Sequence, residues 1–333
     1  LESLLTSLEG LDKAGFHDYE NLFSEAFQLQ QYNEQLRYKL TEIIPHPEKD
    51  KIYWINKSQR GESITLHGAP THIGNQLEEL LYSKNKSVIL TSATLSTNGT
   101  FDHMQERTGF ENSDTLQLGS PFDYKESALL CVPKDMPEPK SLAYQAAVEE
   151  AIGEAAITAR GRTMALFTSH NAIRITANTI RDDLRSKGLT VLAQGIDGPP
   201  YQLLEKFIRN PQSVLLGTSS FWEGVDIAGD ALRVLIVARL PFSVPSEPIF
   251  EARSESYENP FTEYALPQAI LRLRQGFGRL IRTKTDKGVV VILDNRIISK
   301  KYGKMFINSL PPATLSTPTR RDMKTEIGNW LKK

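Results

Sequence analysis

From about residue 127 onward the chain alternates short, fully apolar runs with longer amphipathic stretches, and few architectures accept that pattern. The runs are "ALLCV", "TMALFTS", "TVLAQG", "SVLLGTS", "RVLIVARLPF" and "GVVVILD". Stretches of helical character at 141–159, 170–186 and 201–209 separate most of them. A strand that is apolar on both faces must be covered on both faces. The pattern therefore predicts an α/β fold with a doubly wound, mainly parallel sheet. Ligands on such sheets bind outside the carboxyl ends of the strands, so the loops after these runs are the places to search for a site.

Ahead of this region the character differs. Residues 1–44 read as polar and helical, with a loose apolar stripe through Leu22, Phe23, Phe27, Leu29, Leu36 and Leu40, as expected of a surface helix. Two prolines in "IIPHPEKD" break the pattern and mark a boundary near residue 50. "KIYWIN" and "SITLHG" read as two short strands joined by a polar turn, "HIGNQLEELLYS" as a helix, and "SVILTSATLS" as a buried strand running into a loop. A length of 333 residues suits about two domains. No apolar run approaches the ~20 residues of a membrane-spanning helix, and the N-terminus has no signal-peptide pattern. The first residue, Leu1, is not methionine, which suggests a fragment or a processed chain. The single cysteine, Cys131, excludes an internal disulfide and any all-cysteine metal or iron–sulfur site built from this chain. Its apolar surroundings predict a buried, inert thiol, and a reducing, cytoplasmic setting is expected.

A net charge of −1 hides an uneven distribution. Residues 1–50 hold ten acids and four bases, whereas residues 264–304 hold ten bases and two acids. A local basic stripe matters more to an anionic partner than the overall balance.

Three of the strand-end loops are rich in small hydroxyl residues: Thr91, Ser92 and Thr94; Thr168 and Ser169; Thr218, Ser219 and Ser220. Hydroxyls and free helix N–H groups bind phosphate oxygens, but the same residues also serve as plain helix caps. The third loop continues as "FWEGVDIAGD", with Glu223 and Asp226 flanking Gly224 on a tight turn that is either turn chemistry or a functional pair. "RLRQGFGRLIRT" follows at 272–283. On a helix of ~100° per residue, Arg272, Gln275, Arg279 and Arg282 share a sector of about 80°. Ile270, Leu273, Phe277, Leu280 and Ile281 occupy another of about 100°. One face would pack on the sheet and the other would present guanidinium groups. Gly276 and Gly278, each costing roughly 1 kcal/mol in a helix, suggest a packing or ligand requirement.

Taken in order, TSATL, LFTSH, GTSSFWEGVDIAGD and QGFGRLIRT resemble motifs III to VI of superfamily 2 helicases, and more narrowly the XPD/DinG family. The resemblance covers residues from about 51 to 310. One departure is Ala228, where the family commonly has proline. The resemblance implies a RecA-like second helicase domain over 106–333. Residues 51–105 would be a returning segment of the first RecA-like domain, and residues 1–50 the end of a helical Arch-like insertion. It implies that Arg279 and Arg282, with Gln275 beside them, reach the γ-phosphate of ATP. Glu223, Gly224 and Asp226, together with Ser92, Ala93 and Thr94, would couple nucleotide state to DNA. Thr168, Ser169, Thr218 and Ser219 would contact single-stranded DNA, while Phe221 or Trp222 would pack or stack. The family's phosphate loop and acidic magnesium box do not occur in this sequence. ATP and Mg2+ would therefore be held mainly by the first RecA-like domain of a longer protein, as would any iron–sulfur cluster. The implied function is an ATP-dependent DNA helicase. A 3′–5′ exonuclease of DinG type carrying a helicase-like region is one alternative, and a non-catalytic nucleic-acid-binding module is another.

Overall fold

The computed structural model describes residues 3, 6–7, 18–43, 47–58, 63–97, 99–221, 227 and 229–332. Contacts divide the chain into two compact units, Leu1–Ile73 with Ser246–Arg253, and Gly74–Pro245 with Ser254–Lys333. The break at residue 73 falls inside the expected 51–105 segment.

The smaller unit holds helix α1 (Tyr19–Ile43) and an antiparallel hairpin of β1 (Lys51–Lys57) and β2 (Ile64–Pro70). Helix α1 keeps most of its apolar stripe in solvent, with Leu22, Phe27 and Leu29 about half exposed, as a surface helix does. Across the hairpin Trp54 stacks on His67 with ring centroids 4.8 Å apart. Arg253 donates to the carbonyls of Thr71 and Pro70 at 2.9 and 3.0 Å, closing the 246–253 segment onto the end of β2.

The larger unit is built on seven strands: β3 (Ala128–Cys131), β4 (Thr163–Leu166), β5 (Thr190–Ala193), β6 (Ser213–Gly217), β7 (Val234–Val237), β8 (Gly288–Ile292) and β9 (Thr314–Ser316). They pair in the order β5-β6-β4-β7-β8-β3-β9, every pair parallel. All six apolar runs become strands. The seventh, β9, is short and half exposed, and carries no apolar signal.

Alternation along each strand sends side chains to opposite faces, and each face has its own core. Leu129, Cys131, Ala165, Val191, Val214, Ile236 and Val291 face one layer, made by α3 (Tyr144–Ala159), α4 (His170–Ser186) and α8 (Arg320–Lys332). Leu130, Met164, Leu192, Leu215, Val237 and Val290 face the other, made by α5 (Pro200–Arg209), α6 (Leu266–Phe277) and α7 (Gly303–Ser309). A shorter helix, α2 (Asp102–Thr108), precedes the sheet. Cover on both faces explains why the strands are continuously apolar. Burying a side chain such as Phe207 or Phe277 contributes about 1.5–3 kcal/mol against leaving it in water. Cys131 is fully buried, and that burial pushes its thiol up to about 12. The pattern of an inert core cysteine holds.

Two sequence expectations fail. Residues 87–92 of "SVILTSATLS" form no strand, and Ile89 is 83% exposed. An apolar run becomes a strand only beside a neighbour that completes its hydrogen-bond ladder, and among the described residues none lies alongside. The helix carrying the arginines also stops early, at Phe277.

Candidate functional site

The early stop matters because it separates residues that the sequence placed on one helical face. Arg272 and Gln275 lie on α6, Arg279 on the turn that follows, and Arg282 in the irregular segment leading to β8. Consecutive tight bonds from the amides of Arg279 and Leu280 to the carbonyls of Gly276 and Phe277 end the helix. Gly278 keeps ordinary right-handed dihedrals, and an added Cβ would meet only carbonyl oxygens at 3.5 Å. Its role is therefore helix weakening rather than close approach. Close approach occurs instead at Gly288, the first residue of β8, where a Cβ would lie 2.4 Å from a methyl of Leu280. The apolar face survives the break: Ile270, Leu273, Phe277, Leu280 and Ile281 are all buried. Their packing leaves Gln275, Arg279 and Arg282 half-buried at the amino edge of the sheet, the end from which β8 starts.

Three further contacts shape this edge. Asp286 accepts from the amides of Arg282 and Thr283 at 2.8 and 2.9 Å and from the Thr283 hydroxyl at 2.6 Å. Burial pushes its carboxyl up, but the Thr283 hydroxyl and the two amides outweigh that and hold it below the usual carboxylate range. Beside it Asp230 pairs with Arg233 and, at 3.1 Å, with Arg162. A cleft of about 440 Å³ runs between these groups, lined by Asp230, Arg233, Thr283 and Lys287. Gln275 carries a buried side-chain oxygen with no hydrogen-bond partner among the described residues. Arg272 points elsewhere, to the Ser243 hydroxyl at 2.7 Å, and so leaves the predicted guanidinium row. Arg274 donates to the carbonyl of Ser96 at 2.8 Å, anchoring the segment that holds Ser92, Ala93 and Thr94 against α6. Within that segment the Thr94 amide donates to the Ser92 hydroxyl at 3.2 Å, and both Ser92 and Ala93 are exposed.

The hydroxyl loops lie at the opposite, carboxyl edge. Thr168 and Ser169 follow β4 and are exposed. Ser169 is the N-cap of α4 and accepts from the Ala172 amide at 3.5 Å, so the capping alternative applies to it. Together with Gln145, Asn171 and Arg239 they line a cavity of about 230 Å³. Its wall is fixed by Tyr144, whose hydroxyl donates to the Ala238 carbonyl and whose ring lies under the Arg239 guanidinium at 4.9 Å. Burial raises that hydroxyl far above the usual tyrosine range. Next along the edge, Asp294 is fully buried, takes a two-toothed contact from Arg296 and accepts from the Leu240 amide at 3.0 Å. This pairing offsets the cost of its burial.

Thr218 follows β6, but it is only 7% exposed, and its amide and hydroxyl both donate to Gln194. The backbone of Ser219 opens a 3-10 turn through Phe221. Phe221 is fully buried against Gly217, so it packs rather than stacks on a base. Trp222, Glu223, Gly224, Asp226 and Ala228 lie outside the described residues. Gln194 is the residue that sequence reasoning missed. Its only signal is a polar side chain before glycine at the end of β5, in a loop with no hydroxyl to draw attention.

Residues 152–313 match the family model described as a helicase C-terminal domain. The "ATP-dependent DNA helicase YoaA" of Haemophilus influenzae is 40% identical over 263 residues, which are 78% of this chain and 40% of that protein. The "3'-5' exonuclease DinG" of Bacillus subtilis is 33% identical over 290 residues, 84% of this chain and 31% of that protein. A solved structure of an XPD helicase superposes with a TM-score of 0.62 at 18% identity, covering 95% of this chain and 56% of its own. The fold is RecA-like, and the chain belongs to the DinG/XPD-like superfamily 2 helicases, matching their C-terminal part. It spans about two fifths or less of the length of these curated relatives.

Proposed function

We propose that this chain supplies the arginine-bearing half of an ATP-dependent DNA motor that moves on single-stranded DNA. The observation that carries the reading is the amino edge. There a half-buried Gln275 with an unpartnered oxygen precedes two half-buried arginines on a segment pinned by Asp286. In this reading residues 106–333 are the second RecA-like domain, 51–105 return to the first, and 1–50 end an Arch-like insertion. The first RecA-like domain of the same full-length protein is the partner across the cleft.

The donors present fit one side of a nucleotide triphosphate. Arg279 and Arg282 supply positive charge, and Gln275 a hydrogen-bonding amide, while among the described residues no group of three or more His, Cys, Asp or Glu is placed to hold a metal. In this reading Mg2+ and most of the ATP contacts belong to the other half. ATP supplies free energy through transfer of its γ-phosphoryl group to water. Arginines at that position offset the charge that develops there and are worth about 10³–10⁵ in rate in other systems. Ser92, Ala93 and Thr94, with Glu223, Gly224 and Asp226, relay nucleotide state to the carboxyl edge. Thr168, Ser169, Thr218 and Ser219 belong to the loops that track the DNA phosphates there. No described helix is long and apolar enough to cross a membrane, and we place the protein in the cytoplasm.

The reading is tested by purifying the full-length protein and the 333-residue chain side by side. The full-length protein should hydrolyse ATP faster with single-stranded DNA, and the isolated chain should neither bind ATP tightly nor hydrolyse it. Robust turnover by the isolated chain would refute the division of labour. The similarity to a DinG exonuclease favours one second reading, in which the same region senses nucleotide and grips DNA for a nuclease. DNA-dependent nucleotide release without strand separation would support it.

A further inference from the structure

Arg274 lies one residue before Gln275, in the last turn of α6. Its backbone carbonyl accepts the Gly278 amide at 3.0 Å, the bond that closes the turn leading to Arg279. Its guanidinium reaches a different segment, donating to the Ser96 carbonyl at 2.8 Å and to the Ser96 hydroxyl at 3.4 Å. Ser96 is only 6% exposed, so water competes little for these bonds. A charged donor also makes them stronger than neutral ones. One residue thus touches both the turn that leads to the arginines and the segment that holds Ser92, Ala93 and Thr94.

Ser96 has little freedom of its own. Downstream, Thr97 and Thr100 exchange amide-to-carbonyl bonds at 2.9 and 3.0 Å, and the amides of Met104 and Gln105 return to the Phe101 carbonyl at the start of α2. Upstream, only Leu95 separates Ser96 from Thr94, whose amide is bonded to the Ser92 hydroxyl. Two residues span at most about 7 Å of chain, so a displacement of the Ser96 carbonyl reaches Thr94 with little slack. Further along, a second clasp holds α2. The Tyr257 hydroxyl donates to Glu106, the Arg107 guanidinium lies over the Tyr264 ring at 5.8 Å, and Tyr257 stacks on Tyr264. Both tyrosines precede α6. The length of that helix, about 18 Å at 1.5 Å per residue, separates them from the turn that leads to Arg279.

We infer that Arg274 is the positioning residue that transmits engagement of a nucleotide at Gln275 and Arg279 to the 92–94 segment, acting through Ser96, and that the tyrosine clasp only holds the segment in place. This rests on the function proposed above and supplies the path between two groups of residues named there. A guanidinium can only donate, so it grips the carbonyl whichever way the Ser96 hydroxyl turns. Its rigid, planar head passes on a displacement that a flexible, exposed pair would absorb.

The test is steady-state ATP hydrolysis by the full-length protein, without DNA and with saturating oligo-dT. Arg274→Met keeps an apolar stem and removes the donor. Its turnover without DNA should stay within about twofold of the parent, while the increment that DNA adds should fall about tenfold, the scale of one hydrogen bond to a charged group. KM for ATP and the half-saturating oligo-dT concentration should each move less than about threefold, since no binding contact is removed. Arg274→Lys restores a charged donor and should recover about half or more of the stimulation. Tyr257→Phe loses its bond to Glu106 and should keep stimulation within about twofold of the parent. Full stimulation in Arg274→Met, no recovery in Arg274→Lys, an equal loss in Tyr257→Phe, or a parallel fall in DNA-free turnover overturns the inference. A parent protein whose turnover ignores DNA overturns the proposed function itself, which keeps the two failures apart. Thermal melting reports whether each variant folds. If Arg274→Met melts early, amide hydrogen exchange of residues 90–97 in the parent decides. It should slow when a non-hydrolysable ATP analogue is added, and unchanged exchange overturns the inference.

Discussion

The two edges of the sheet solve the same problem, holding a polar segment still, in different ways. In the hydroxyl loops of the carboxyl edge neutral side chains do the holding, Gln194 taking up Thr218 and Ser220 and Ser169 capping α4, while charged pairs such as Asp294 with Arg296 sit elsewhere along that edge. At the amino edge charge does it: Asp286 takes the amides of Arg282 and Thr283, and Asp230 bridges Arg162 and Arg233. In the proposed function, neutral clamps leave hydroxyls and helix N–H groups available for a phosphate chain that must slide. Charged clamps fix a short arginine segment whose target, in the same proposal, carries concentrated negative charge. The segment running from Gly217 to Arg233 connects one edge to the other.

The sharpest way to break this comparison is to damage each edge in the full-length protein. Arg279→Ala should lower DNA-stimulated ATP turnover by about 10³-fold or more, with the half-saturating DNA concentration changed only a few-fold. Thr168→Ala should do the reverse, raising that concentration several-fold with turnover at saturating DNA nearly kept. If both variants shift the same parameter, the edges are not separate sites.

Packing gives a second contrast. Gly217→Ala forces a methyl into the rigid ring of Phe221 and should cost about 2–3 kcal/mol in urea unfolding. Gly288→Ala meets the branched end of Leu280, which can rotate, and should cost nearer 1 kcal/mol. The reverse order would mean that the carboxyl-edge turn yields more easily than its buried anchor suggests.

A smaller effect tests the charged clamp. Asp286→Asn should cost about 1 kcal/mol at pH 7, the scale of a hydrogen bond to a partly exposed charge. A carboxyl held below its unfolded value contributes stability above that value and loses it as acid protonates the folded form. The gap between variant and parent should therefore be constant above about pH 5 and shrink below about pH 4. A gap that widens in acid would contradict the direction of the shift. Smallest of all, Cys131 should ignore a thiol-reactive disulfide reagent at pH 8 until the chain is unfolded, because its thiol is buried and pushed up to about 12.

Much of this was legible in the residues. The six apolar runs announced a sheet covered on both faces, and helices at 170–186 and 201–209 lie within a residue of where their periodicity ends. The motif order identified the family before any coordinates. Failures came where a local pattern needed a partner to complete it. "SVIL" is strand-like, yet among the described residues no neighbour gives it a ladder. The arginine stretch has helical spacing, yet the turn after Phe277 and the packing of Leu280 onto Gly288 draw it away from the helix axis. Arg272 looks like its neighbours in the sequence and bonds Ser243 instead.

What the sequence determined alone was hydrophobic period, element type and the presence of arginines, hydroxyls and a single cysteine, since these follow from residue identity and spacing along one chain. What only the tertiary structure decided was which hydroxyl is spent and which is available, and at which edge each group lies. Those depend on hydrogen-bond partners far apart in sequence, such as Gln194 and Ser220, and no local pattern encodes a pairing that exists only when separate strands come side by side.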